Sequence, residues 1–370
     1  MVLLEDWRVS GSFHSSAGKP VGQDSVFQVA SLGKWVAAVG VMTLVEDGLV
    51  DLDTPVSRYL TRWQLPESAF SNDGVTVRRL LSHTAGLDDG LGYSGFDDPG
   101  EVQALEDSLT RARDASPGKS GVVRVGHDPG SQWAYSGGGY TLLQLLIEEV
   151  SGESFDAYME RRVFRPLAMN RTTFDHTEAS RMGLAENFRS DGGTEPFKHY
   201  SALAATSLFT TTADLAKFIR AHDPESLRRV LSPGTLRTMR EPHASRLGAS
   251  IWGLGAMLFA PLEDGEYIVG HDGSNEPAIN SAARLDPTTG NGIVIIETGS
   301  EFLASTLASE WVFWKTGKVD NLAFAMIIDR MLLWSAGGAV VILLVGLWTG
   351  SKSRRRKPGQ GSGRLPRIEG

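Results

Sequence analysis

The chain has 370 residues, 41% of them hydrophobic and 22% charged, with no cysteine and a formal charge of −8. That length can bury a large core in one or two domains, and the composition excludes disulfides, thiolate metal sites and a cysteine nucleophile. The charge is uneven: residues 351–370 set seven Lys/Arg against Glu369, which leaves −14 on the rest, and an acidic body argues against nucleic acid as a partner.

Short strands are expected over residues 7–14 and 24–29, separated by the polar turn "SAGKPVG". A helix then runs from Ser31 to a glycine cap at Gly48. It is apolar almost all round from Trp35 to Val45, so it should be buried. Ser31 and Lys34 stand one turn apart on one face of it. A surface lysine at a helix start is the bland reading. A buried lysine instead needs a partner or loses its proton, and a neutral lysine beside a serine can activate it.

Residues 88–126 are rich in Gly, Asp and Ser around one amphipathic helix over 101–113. Further helices are expected from Tyr140 to Gly152, over "FDAYMERRVFRPL" with a stop at Pro166, and over "TTADLAKFIRAH" behind a threonine N-cap. "IWGLGAMLF", "EYIVGHDG", "NSAARLDP" and "GIVIIETG" read as successive strands, the last two joined by the turn "DPTTGNG". Helix "EFLASTLASEWVFW" follows. Strands at both ends with helices between predict an α+β domain over 1–318: one antiparallel sheet built from the N- and C-terminal segments, flanked by helices, with an inserted helical lobe.

Residues 331–348 contain no charge, with Trp334 and Trp348 near the two ends and "SKSRRRK" immediately after. This pattern predicts one transmembrane helix within 319–350, a basic disordered tail over 351–370 in the cytoplasm, and the body over 1–318 on the outer side of the cell membrane. The N-terminus has no basic and apolar leader, so an exported body implies a start upstream of Met1.

Three short motifs lie in order: Ser31-Leu32-Gly33-Lys34, Tyr135-Ser136-Gly137 and His271-Asp272-Gly273. Acyl transfer needs a nucleophile, a base and oxyanion donors. Ser31 can attack, Lys34 can hold or take its proton, and Tyr135 can serve as a second base if cations lower its pKa. The backbone amides of Ser31 and Ser274 can form the oxyanion hole. With "LLSHTAGL", "DPGSQWAYS", "VFRPLAMNRTTF", "TTADLAKF" and "WGLG", the set resembles the serine β-lactamase and penicillin-binding-protein superfamily, in particular its class C β-lactamase-like group of esterases, D-amino-acid peptidases and D,D-carboxypeptidases. The resemblance implies Ser31 as acylated nucleophile, Lys34 as its proton partner, Tyr135 as general base and acid, and His271 and Gly273 in the third motif. It implies a serine hydrolase that cleaves an amide or ester of a small molecule or peptide, with no cofactor and no metal. The alternative is an inactive sensor or ligand-binding domain of the same shape. The oligomeric state is not legible.

The departures are Gly137, where many relatives carry an amide side chain, and Pro277 with Ala278 after the third motif; Pro277 has no N–H to give a substrate. Relatives also have a strand ahead of the first one here, which again implies a late start. Lys315-Thr316-Gly317 copies a third motif but falls on a helix. "SPGKS" is an incomplete P-loop. Ser82-His83 reads as a turn, since adjacent residues rarely face each other. Trp133 and Trp252 read equally as cleft lining or core.

Overall fold

The computed structural model describes residues 1–4, 20–90, 92–223, 226, 228–275, 279–320, 334 and 338–348. The expected strand over 7–14 lies outside them, as do Pro277, Ala278 and the tail over 351–370. The chain forms two compact units, Met1–Leu322 and Ala323–Gly370.

In the first unit, β1 (Val2–Leu4) precedes β2 (Phe27–Gln28), a 3-10 turn (Ala30–Leu32) and α1 (Gly33–Glu46). The lobe follows: α2 (Val77–Leu81), α3 (Leu105–Arg111), α4 (Gly137–Ser151), α5 (Phe155–Met159), a π turn (Glu160–Phe164), α6 (Arg165–Leu167), α7 (His176–Arg181) and α8 (Leu203–Thr206). The chain returns through β3 (Phe209–Thr210), α9 (Thr212–Arg220), α10 (Pro233–Arg240), β4 (Ala244–Arg246), β5 (Ala249–Trp252), β6 (Met257–Pro261), β7 (Tyr267–Asn275), β8 (Ile279–Leu285), β9 (Gly292–Thr298) and α11 (Leu303–Thr316). The main sheet runs β1-β9-β8-β7-β6-β5-β4, with every pair antiparallel. N- and C-terminal segments therefore meet in one sheet, as the order of elements implied.

Neighbouring residues of β8 define the two faces, because successive strand side chains point opposite ways. The Ser281 hydroxyl donates to the Val29 carbonyl at 2.8 Å, beside the turn that opens α1. The Asn280 amide meets Ser305 on α11. The sheet thus lies between the α1 layer and α11. Every residue of α1 from Gly33 to Leu44 is buried, which accounts for a helix without a polar stripe.

Several boundaries shift for local reasons. The helix over "FDAYMERRVFRPL" passes Pro166 and ends at Ala168, which adopts φ +56°. The π turn before it widens the helix where proline would clash with the preceding carbonyls. α4 starts at Gly137, three residues before the expected Tyr140, because Ser136 caps it and accepts from the Gly139 amide. "IWGLGAMLF" splits into β5 and β6. Thr211 caps α9 as expected, accepting from the Asp214 amide.

The membrane reading is overturned. Among the described residues no helix is long and apolar enough to cross a membrane. The charge-free composition of 331–348 suggested a span, and no described helix supplies one. The cell-membrane placement and its topology fall with it.

The Glu297 carboxylate on β9 accepts the Leu303 and Ala304 amides at the start of α11, and burial pushes its pKa up from 4.5 to about 7. A carboxyl whose folded pKa is raised stabilises the fold below its unfolded value and loses that contribution as pH rises through the folded one. Glu297→Gln removes the titration. Its melting temperature relative to the parent is therefore expected to climb by roughly 2–5 °C between about pH 4.5 and pH 8. A difference that stays constant across that range would contradict this.

Candidate active site

Ser31 sits in the 3-10 turn between β2 and α1. The residue before it, Ala30, holds φ +48°, a strained value for a side chain with a Cβ. The Val29 amide donates to the Leu208 carbonyl at 3.0 Å, so the turn is pinned from the β3 side. Lys34 is 1% exposed. Its ammonium donates to Ser31 Oγ at 3.1 Å and to the Ala205 carbonyl at 2.5 Å. It also stands over the Tyr135 and Tyr140 rings, 4.9 and 5.8 Å from their centres. Burial drives its pKa down from 10.5 to about 7, against the opposing pull of the Asp89 carboxylate.

The Tyr135 hydroxyl hydrogen-bonds Ser31, yet burial raises its pKa above 10, and Asp272 adds to the rise. The condition for a second base, a pKa lowered by cations, is not met here: Lys34 faces the ring, and desolvation sets the direction of the shift. Tyr135 is a neutral phenol here.

What places Tyr135 is His83. The two rings stack with centres 4.3 Å apart, and His83 Nδ1 accepts the Ser136 amide at 3.1 Å. With Nδ1 accepting, the proton resides on Nε2. Burial holds the imidazole neutral, well below its usual pKa. His83 adopts φ +57°, and its carbonyl accepts the Ala134 amide at 2.8 Å. Trp252 packs edge-on against both rings, at 4.8 and 5.6 Å, and lies 5.6 Å from Trp133. Ser82 turns away, donating to the Arg78 carbonyl at 2.9 Å, so it forms no pair with His83.

His271, Gly273 and Ser274 lie on β7. His271 is fully buried and neutral, its pKa lowered to about 3 by burial and by Lys34. Its Nδ1 pairs with the Asp272 carbonyl at 2.6 Å, its ring meets Trp252 at 5.5 Å, and Nε2 has no hydrogen-bond partner among the described residues. It stands beside the Ser31 cluster without a hydrogen bond to it. A Cβ on Gly273 would lie 2.0 Å from the Val29 carbonyl oxygen and 3.0 Å from the Leu32 nitrogen. Only glycine lets the Ser31 turn press this close to the sheet. Ser274 is exposed one residue on.

Gly137 opens α4 and faces Tyr93, whose ring would lie 3.0 Å from an added Cβ. An amide side chain has little room there. Ser136 Oγ donates to Asp89 at 2.5 Å, and the Gly138 amide does so at 2.7 Å. Burial raises the Asp89 pKa to about 6. Sequence reasoning missed Asp89 and took His83 for a mere turn; the histidine within "LLSHTAGL" was the one available signal. Among the described residues, no group of three or more His, Asp or Glu is placed to hold a metal. Lys315-Thr316-Gly317 closes α11, with Gly317 at φ +65° as its cap, far in kind from a strand motif.

Comparison with known proteins matches residues 6–308 to the beta-lactamase family. Penicillin-binding protein 4 of Amycolatopsis lactamdurans is 31% identical over 309 residues, covering 77% of this chain and 74% of that one. Esterase EstB of Burkholderia gladioli is 30% identical over 202 residues, 52% of this chain and 48% of its own length. The structure of a D-amino acid amidase from Ochrobactrum anthropi SV3 aligns with a TM-score of 0.60 at 25% identity, covering 77% of this chain and 80% of the other. The chain therefore belongs to the serine β-lactamase and penicillin-binding-protein superfamily, and it is a serine hydrolase that works through an acyl-enzyme.

Proposed function

We propose that Ser31 is the acylated nucleophile and that neutral Lys34 takes its proton. The observation that carries this is the 3.1 Å contact between Ser31 Oγ and a buried amine whose pKa lies at about 7. At neutral pH a large share of such an amine is unprotonated and able to accept. Ser31 Oγ bonds to the substrate carbonyl carbon as its proton passes to Lys34. The Ser31 and Ser274 amides receive the oxyanion. Tyr135, neutral and bonded to Ser31, carries the proton on to the leaving group as that bond breaks. Water then attacks the ester along the reverse proton path and releases the acid and Ser31. His271, kept neutral by burial, adds no second cation beside Lys34 and acts as an uncharged wall.

The substrate we propose is an amide or ester of a short acyl group, with a D-amino-acid amide or peptide as the leading class. Support comes from the named relatives, an amidase, an esterase and a penicillin-binding protein. β-Lactam hydrolysis is disfavoured, because Tyr93 crowds the place beside Gly137 where a side-chain amide would hold the lactam.

Ser31→Ala and Lys34→Arg should each abolish acetylation by nitrophenyl acetate, read by intact-protein mass, while leaving the circular dichroism unchanged. Arginine keeps the charge but cannot deprotonate near neutral pH. If the Ser31→Ala protein turns over as fast as the parent, the inactive-domain alternative becomes the better account. Tyr135→Phe should slow acylation by roughly two to four orders of magnitude.

The pH dependence has a definite sign. Only the unprotonated amine accepts a proton, so the acylation rate should rise with pH and level off above a midpoint near the Lys34 value of about 7. A rate that falls across pH 6–8, or a profile with no inflection there, would exclude Lys34 as the base.

A further inference from the structure

Asn280 lies on β8 with no exposed surface, opposite Ser274 in the β7–β8 register. Two groups of fixed polarity hold its side chain. The Ser305 amide, in the first turn of α11, can only donate, and it gives to Oδ1 at 3.2 Å. The Gly273 carbonyl can only accept, and it takes from Nδ2 at 3.2 Å. Nδ2 also lies 3.3 Å from Ser305 Oγ. These opposite demands leave one orientation for the amide.

The Gly273 carbonyl and the Ser274 N–H belong to one peptide unit. That unit is planar and trans, so the two groups point in opposite directions. A donor on β8 that holds the carbonyl therefore aims the N–H away from β8. Among the described residues, β7 has no strand partner on that side beyond Gly270, the last of its residues paired with β6. The turn carrying Ser31 packs over this end of β7, near enough that a Cβ on Gly273 would meet Val29 and Leu32. A role as a buried cap for α11 accounts for Oδ1, but it does not require a donor at the other end of the side chain.

We infer that Asn280 is a positioning residue: by holding the Gly273 carbonyl it steadies, alongside the β7–β8 ladder, the direction of the Ser274 amide that receives the oxyanion. The inference rests on the acyl-transfer reading above, with the Ser31 and Ser274 amides as oxyanion donors. It also extends the site to the far face of the sheet, because the same side chain joins β7 to the start of α11.

Asn280→Asp separates the two roles. It keeps an acceptor for the Ser305 amide and turns the donor facing Gly273 into an acceptor. Ser305→Ala does the converse, removing a contact with α11 while leaving the Gly273 contact in place. Full-length parent and variants are acetylated with nitrophenyl acetate carrying a labelled carbonyl. Mass spectrometry first locates the acetyl group, and infrared difference spectra then give its stretch. In the parent the acetyl group is expected on Ser31, with a stretch lowered by hydrogen bonding. In Asn280→Asp the stretch should move to higher frequency, and acylation should slow by about tenfold or more, short of the roughly 10²–10³ that follows outright loss of an oxyanion donor. Ser305→Ala should melt at a lower temperature yet keep the parent frequency. Asn280→Ala, which places no carboxylate opposite Glu297, gives a second reading of the same shift if the aspartate variant folds poorly. Parent-like frequency and rate in a folded Asn280 variant would reduce Asn280 to a helix cap and overturn the inference alone. A parent that carries no acetyl group on Ser31 would instead overturn the acyl-transfer reading, and the inference with it.

Discussion

A lysine without access to water is the constraint on which the rest of this site depends. Taking an ammonium out of water costs several kcal/mol unless polar groups replace its hydration. Lys34 receives one carbonyl, one hydroxyl and two aromatic faces. That set is too weak to hold the charge firmly, so the amine gives up its proton near neutrality instead. The helix that carries it enforces the situation. α1 is packed on all sides and offers the side chain no route to the surface. Core and chemistry are here one arrangement: the packing that stabilises the domain also makes the base.

The same packing explains why the site spans the chain. Ser31 lies at the start of α1, and Gly273 lies on a strand formed by the second half of the sequence. Their meeting depends on the absence of a side chain at Gly273, since even a methyl group would drive the Ser31 turn off the sheet. The strained φ of Ala30 belongs to this geometry, because a sharp turn between β2 and α1 aims Ser31 at the sheet edge. The strain is borne by the large core around it.

What could be read from the sequence follows from the range of the interaction. Ser31 and Lys34 are joined by helical spacing, so a local pattern was sufficient. The antiparallel sheet was legible because β6 to β9 have strong apolar patterns and a recognisable turn. β1 and β4 are only three residues long, and tertiary pairing, not pattern, creates them. His83, Asp89 and Asn280 act across the fold. The His83 bond to Ser136 spans 53 positions and the Asp89 bond 47. No periodicity reports such contacts. The direction of the Tyr135 pKa shift was not legible for a related reason: charge is visible in a sequence, whereas desolvation depends on the packing of residues far away. The terminal apolar segment misled in the opposite sense: composition reports hydrophobicity, and no described helix is long and apolar enough to span a membrane.

The electrostatic setting of Lys34 is a balance between two influences. His83 and His271 both feel its charge and are kept neutral by burial. Were either protonated, Lys34 would meet a second cation in a medium of low polarity, and its own pKa would fall further. Asp89 acts the other way and raises it. Because Asp89 also holds Ser136 and the Gly138 amide at the start of α4, the residue that limits how far Lys34 is depressed also anchors the segment bearing Tyr135. The acid–base tuning and the placement of the second proton carrier therefore share one carboxylate. A change at Asp89 would alter both at once, whereas the two buried histidines maintain the lysine's environment by remaining uncharged.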